Sequence, residues 1–258
     1  MDCCFVNLYD VLRHPWYCIS APGCNSCFLV VEFVMRVTAV LPVYCFHESV
    51  WLLYGFHKEF HMNRVICVYS SSSELVDKRY FEVAEELGTL IAKNGDSFLY
   101  GGGTIGLMGA SAKAVHKAGG KVIGIIPKML NIEGVVYDCC DELIETGNLR
   151  ERKSVMDERS DAFIALPGGF GTLEELMEII TLKQLKYHNK PVVILNVNGF
   201  YDKLIELFQT FIQGNFVSGE YSSLFFFTGS AKDAIGYIDG YMPHHYTDKW
   251  ITTDKSKE

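Results

Sequence analysis

A doubly wound α/β fold, with a mostly parallel sheet covered by helices on both faces, is predicted from residue 62 onward by three observations. Short runs rich in Val and Ile alternate with stretches of helical periodicity. Glycine-rich turns end several of the runs and open the helices that follow. Helices of this length between strands imply right-handed crossovers, the connection that lays successive strands parallel in one sheet.

Residues 64–70 read as a buried strand ending in the small polar cluster 70–73. Tyr80, Val83, Ala84, Leu87, Leu90 and Ile91 then fall at helical spacing over 77–93, and Asn94-Gly95 stops that helix. Residues 97–100 form a second strand that feeds Gly101-Gly102-Gly103, after which Leu107, Ala110, Ala114 and Ala118 stripe a helix closed by Gly119-Gly120. Residues 121–127 make a third strand and 141–145 a shorter fourth; 149–159 is a charged helical stretch, and 162–166 is a strand that runs into Pro167. A helix near 172–187, a strand over 192–197, a helix near 201–213, a strand over 224–228 and a last helix complete a Rossmann-like order. In such sheets ligands bind beyond the carboxyl ends of the strands.

With 23 basic against 31 acidic residues the chain carries a formal charge of -8. A broad nucleic-acid surface is therefore not expected, and any phosphate bound in a local basic pocket belongs to a small molecule. Six of nine cysteines precede Met62, and Cys24-x-x-Cys27 has no second ligand pair to make a zinc module. Ordinary thiols in a reducing compartment, the cytoplasm, are expected. Residues 27–46 are apolar, but Glu32, Arg36 and Pro42 interrupt them, so no membrane span is expected; Asp2 and the late start of the apolar run argue against a signal peptide. Residues 1–61 read as an extension without a legible fold, with Met62 the natural start. Residues 62–240 read as one Rossmann-like domain and 241–258 as a polar tail.

Three loops end strands at the ligand edge: 70–73, 101–106 and 168–172. Each offers backbone N–H groups, and the last two open helices whose positive dipole ends favour an anion. No Gly-Lys-Ser/Thr follows either glycine run, which disfavours triphosphate chemistry, and neither spells the dinucleotide fingerprint G-x-G-x-x-G. Thr172 is placed both to cap its helix and to donate to a phosphate. Glu174, Glu175 and Glu178 crowd the first turns of that helix, where acids also serve simply to complement the dipole, at about 0.3–1 kcal/mol each. Arg150, Glu151, Arg152 and Lys153 could equally be a solvated charged face.

Taken together, Gly101-Gly102-Gly103-Thr104-Ile105-Gly106-Leu107-Met108-Gly109, then Arg152-Lys153, then Pro167-Gly168-Gly169-Phe170-Gly171-Thr172-Leu173-Glu174-Glu175 resemble the LONELY GUY cytokinin-activating phosphoribohydrolases, a family long labelled lysine decarboxylase. The resemblance covers about residues 62–240. It implies hydrolysis of the N-glycosidic bond of N6-substituted adenosine 5′-monophosphates to free base and ribose 5-phosphate, by a homodimer without metal or redox cofactor. Carried over by motif, Arg152 and Glu175 are the catalytic pair. Lys153 and the loop Gly168, Gly169, Phe170, Gly171, Thr172, Leu173 and Glu174 hold the nucleotide, with Gly102, Gly103, Thr181 and Glu133 as further contacts. Two departures stand out. Residues 131–141 are spaced differently around Glu133, and Leu149 and Arg150 replace the methionine and histidine that often precede Arg-Lys.

The chemistry agrees with that transfer. Breaking a glycosidic bond builds positive charge on the ribose and negative charge on the departing base, so a carboxylate must face the cation. Glu175 fits that task, and a permanently charged arginine can neutralise phosphate or the leaving base. A non-catalytic nucleotide or molybdenum-cofactor carrier is the alternative the fold allows. Amino-acid decarboxylation fits poorly, since it typically needs pyridoxal phosphate on a suitably placed lysine.

Overall fold

The computed structural model describes residues 63–244. The expectations for residues 1–61, including the apolar stretch 27–46, and for the tail beyond 244 lie outside the described residues.

Seven strands form one sheet: β1 (Val65–Tyr69), β2 (Ser97–Tyr100), β3 (Val122–Pro127), β4 (Glu142–Thr146), β5 (Ala162–Ala165), β6 (Val192–Leu195) and β7 (Phe226–Thr228). Their order is β4-β3-β2-β1-β5-β6-β7, and every pairing is parallel. The helices are α1 (Lys78–Lys93), α2 (Gly106–Lys117), α3 (Leu149–Arg159), α4 (Phe170–Gln184), α5 (Asp202–Gln213) and α6 (Ala231–Asp239). The anticipated Rossmann-like order is thus present, with three short 3-10 turns at Lys128–Leu130, Val197–Gly199 and Gly219–Ser223 that periodicity could not resolve.

Alternation along the strands builds two cores, because successive side chains leave opposite faces of a sheet. In β1, Ile66 and Val68 join the core under α1, α2 and α6, while Cys67 and Tyr69 join the one under α3, α4 and α5. The buried strands read as near-continuous apolar runs for this reason: both faces are covered.

The chain builds outward from β1 to β4, then returns to place β5 on the other side of β1. This reversal opens a crevice at the carboxyl ends of β1 and β5, where doubly wound sheets take their ligands. The loops there are laced together. Ser71 N–H donates to Pro167 O at 3.2 Å, Leu166 N–H to Tyr69 O at 2.9 Å, and the Tyr201 hydroxyl to Leu166 O at 2.8 Å.

The anticipated anion sites at two helix N-termini diverge. The N–H groups of Leu107 and Met108 donate to Ser71 O at 2.9 and 3.3 Å, so the start of α2 is occupied by the β1 loop. Gly106 permits this close approach: its φ is +63°, and a Cβ there would sit 2.4 Å from the Ser72 carbonyl carbon. The anion expected at α2 is displaced by a carbonyl dipole of the protein itself.

Candidate active site

At the start of α4 the first turn is open. Gly169 occupies the cap position with no side-chain cap, and among the described residues no acceptor meets the N–H groups of Phe170, Gly171 and Thr172. Thr172 is not the cap the sequence suggested. It is the third helical residue, buried, with its hydroxyl so close to Gly168 that a Cβ at Gly168 would lie 2.1 Å away. Gly168 is therefore required by packing, whereas a Cβ at Gly169 or Gly171 would meet nothing within 4 Å. Two glycines that protein packing does not require, beside unpaired N–H groups at a positive helix end, form a cradle for an anion.

One turn further on, Glu175 meets Arg152. Asn148 caps α3 through its side chain, bonded to the N–H groups of Arg150 and Glu151 at 3.0 Å, and this fixes the start of the helix that carries the arginine. Arg152 Nη1 donates to Glu175 Oε1 at 2.9 Å and Nε to the Ile125 carbonyl of β3 at 2.9 Å. The Nη2 corner lies against Gly101, where a Cβ would come within 2.2 Å of it. Both side chains of the pair are only 13 % exposed. Burial raises the Glu175 carboxyl above its ordinary value, and the Arg152 guanidinium opposes that rise.

Beside this pair Lys153 is held between Glu174, at very short range, and Glu178 at 2.6 Å, contacts that raise its basicity. A cleft of about 310 Å³ is lined by Arg150, Arg152, Lys153, Gly171, Glu174 and Glu175, with Leu149 at its edge. A second, of about 240 Å³, runs between α3 and α4 past Tyr69, Glu175 and Asp157. A larger apolar cleft of about 600 Å³, walled by Pro127, Met129, Leu130 and Leu149, shares Leu149 and Arg150 with the first.

Arg152, Lys153, Gly171, Glu174 and Glu175 thus come together, with Gly168, Gly169, Phe170, Thr172 and Leu173 forming the adjoining turn. Phe170 is 94 % exposed at its tip. The remaining residues lie elsewhere. Gly102 and Gly103 hold the loop that carries Glu133: Tyr137 N–H donates to Gly102 O at 2.8 Å, and Gly103 bridges Val136. Glu133 is exposed on that loop, and Thr181 is exposed on α4, its hydroxyl bonded to Met177 O at 2.7 Å. Neither lines the clefts around the pair. No sequence signal marks Gly101, Tyr69 or the Ile125 carbonyl as parts of the site. Gly101 stood in the first glycine run, but only the fold shows that its missing side chain makes room for Arg152 rather than for phosphate.

The family model described as "Possible lysine decarboxylase" matches residues 108–238. Cytokinin riboside 5′-monophosphate phosphoribohydrolase LOG3 of Arabidopsis thaliana is 40 % identical over 182 residues, which are 70 % of this chain and 85 % of that protein. LOG1 of the same plant is 41 % identical over 180 residues, 70 % of this chain and 84 % of LOG1. The chain belongs to the LONELY GUY family. The LOG protein of Oryza sativa subsp. japonica is also 40 % identical, over 182 residues, 70 % of this chain and 75 % of its own length. Among solved structures, the molybdenum cofactor carrier protein of Chlamydomonas reinhardtii superposes with a TM-score of 0.54 at 25 % identity, covering 69 % of this chain and 97 % of that one. The shared architecture is the Rossmann-like doubly wound sheet of the LONELY GUY chain. Among the described residues no group of three His, Cys, Asp or Glu side chains is placed to hold a metal ion, and no helix is long and apolar enough to cross a membrane.

Proposed function

We propose that this LONELY GUY protein hydrolyses the N-glycosidic bond of adenosine 5′-monophosphates, N6-substituted ones included, to free base and ribose 5-phosphate. The observation that carries the reading is the buried Arg152–Glu175 pair one turn from the open start of α4. The N–H groups of Phe170, Gly171 and Thr172 receive the 5′-phosphate, and this fixes the ribose over the Glu175 carboxylate. As the bond to the base lengthens, positive charge gathers on the ribose, and Glu175 stabilises it. Arg152 opposes the effect of burial on that carboxylate and aims it, while its guanidinium stands ready for negative charge on the leaving base. Water then adds its oxygen to the ribose carbon that has lost the base, and the proton it gives up balances the negative charge on the departing base.

The relatives' printed names support this substrate class at about 40 % identity. The family resemblance supports a homodimer in a reducing cytoplasm, in keeping with the free thiols of Cys67, Cys139 and Cys140. A carrier of molybdenum cofactor is the second reading, supported by a structural likeness at 25 % identity, and it is the weaker of the two for that reason.

Purified protein incubated with adenosine 5′-monophosphate and its N6-isopentenyl form should release the base on chromatography. Glu175→Gln should lower turnover by about 100- to 1,000-fold, the scale of a lost electrostatic stabiliser, with an unchanged circular-dichroism spectrum. Intact nucleotides after incubation with the folded wild-type protein would refute the reading, and tight molybdenum-cofactor binding without base release would replace it.

A further inference from the structure

Three cations of α3 face the 310 Å³ cleft, and their surroundings differ. Arg152 is neutralised by Glu175, and Lys153 by Glu174 and Glu178. Arg150 is exposed, and among the described residues its guanidinium has no ion-pair or hydrogen-bond partner; only its backbone N–H is engaged, with the Asn148 cap. Yet Arg150 is among the residues lining all three clefts, the first of which is also lined by Gly171 of the open turn of α4. Arg152 and Lys153 are matched or outnumbered by the carboxylates they touch, so a phosphate dianion entering this cleft gains little from them. Without Arg150 the charged side chains lining this cleft, Arg152 and Lys153 against Glu174 and Glu175, sum to zero and give a phosphate no net attraction.

Resting on the glycosidase reading above, we propose that Arg150 is the specificity residue for the 5′-phosphate. Its planar fork of donors meets the phosphate oxygens from the α3 side while the N–H groups of Phe170, Gly171 and Thr172 meet them from α4. Arg150 thus supplies the charge that the neutralised Arg152 and Lys153 withhold. Arg150 touches the phosphate and not the reacting bond, so it governs binding rather than the chemical step.

The test compares wild type, Arg150→Gln and Arg150→Lys in two measurements: steady-state hydrolysis of adenosine 5′-monophosphate, and calorimetric binding of inorganic phosphate and of adenosine. Arg150→Gln should raise KM about tenfold, equivalent to about 1.4 kcal/mol, with kcat within about twofold. It should weaken inorganic phosphate by a similar factor and leave adenosine binding unchanged. Arg150→Lys should recover most of the loss, since the charge remains. An unchanged KM and phosphate affinity, a loss that falls in kcat, or an equal loss for adenosine would each overturn the proposal. Absence of hydrolysis by the wild type would count against the glycosidase reading alone, because the phosphate calorimetry still decides the role of Arg150.

Discussion

After β2 the chain turns through Gly101, Gly102, Gly103 and Gly106 into α2; after β5 it turns through Gly168, Gly169 and Gly171 into α4. Both turns leave the same edge of the sheet and both open a helix. In the first, the missing side chains are filled by the protein: Ser71 and Ser72 against Gly106, Arg152 against Gly101, and the loop of Val135 and Tyr137 against Thr104 and Gly102. In the second, Gly169 and Gly171 face open space and the first-turn N–H groups have no partner among the described residues. The first turn is a packing joint and the second is a cradle. Composition alone does not separate the two, because glycine serves a close protein approach and a close ligand approach for the same steric reason.

Exchanging alanine into each turn breaks or sharpens that comparison most strongly. Gly106→Ala forces a left-handed backbone on a residue with a side chain and drives its Cβ into Ser72, so unfolding should be easier by about 3 kcal/mol. Gly171→Ala meets no atom, so its stability should stay within about 0.5 kcal/mol of wild type while nucleotide affinity falls. Urea denaturation with parallel binding assays reads both, and equal destabilisation of the two variants would erase the distinction.

The far end of α4 offers the next effect. Lys183 is buried, its amine has no hydrogen-bond partner among the described residues and lies 4.8 Å from the centre of the Tyr241 ring, and burial pushes its pKa down to about 8. Between pH 8 and the ordinary lysine range the unfolded chain holds a proton that the folded chain has released, so stability rises with pH across that window. Below pH 8 the full cost, up to about 3 kcal/mol, is present. Lys183→Met should therefore melt higher than wild type at pH 7, with the gain shrinking toward pH 10. A gain that stays constant with pH would show that packing, not the charge, sets it.

The smallest effect concerns Glu175 in the open cradle. Its carboxyl is raised by burial, so the acid limb of kcat/KM should lie above the ordinary glutamate value, activity appearing as pH rises through it. Removing the opposing charge in Arg152→Gln should move the carboxyl higher still, as followed by carboxyl-carbon NMR. A limb at or below the ordinary value would mean that Arg152 outweighs burial.

Much of the fold was legible because the strands are buried on both faces and carry uninterrupted apolar runs, while the helices keep a period near 3.6. The helix Leu149–Arg159 and the strand Ser97–Tyr100 were read to the residue. The start of α4 was placed two residues late, because Thr172 looks like a cap and Gly169, which takes that place, has no side chain with which to signal it. The pairing of Arg152 with Glu175 came from a motif, not from spacing, since 23 residues and a whole strand separate them.

By itself, then, the sequence determined a doubly wound sheet, the edge of that sheet where the candidate site lies, and the family to which the chain belongs. Only tertiary structure decided which helix start is open, which glycines are needed for packing, and which of three neighbouring cations is left without a carboxylate. Periodicity and propensity act over a few residues and survive in the sequence. The occupancy of a helix end or the neutralisation of a charge depends on groups that meet only when β1, β3 and β5 bring their loops together.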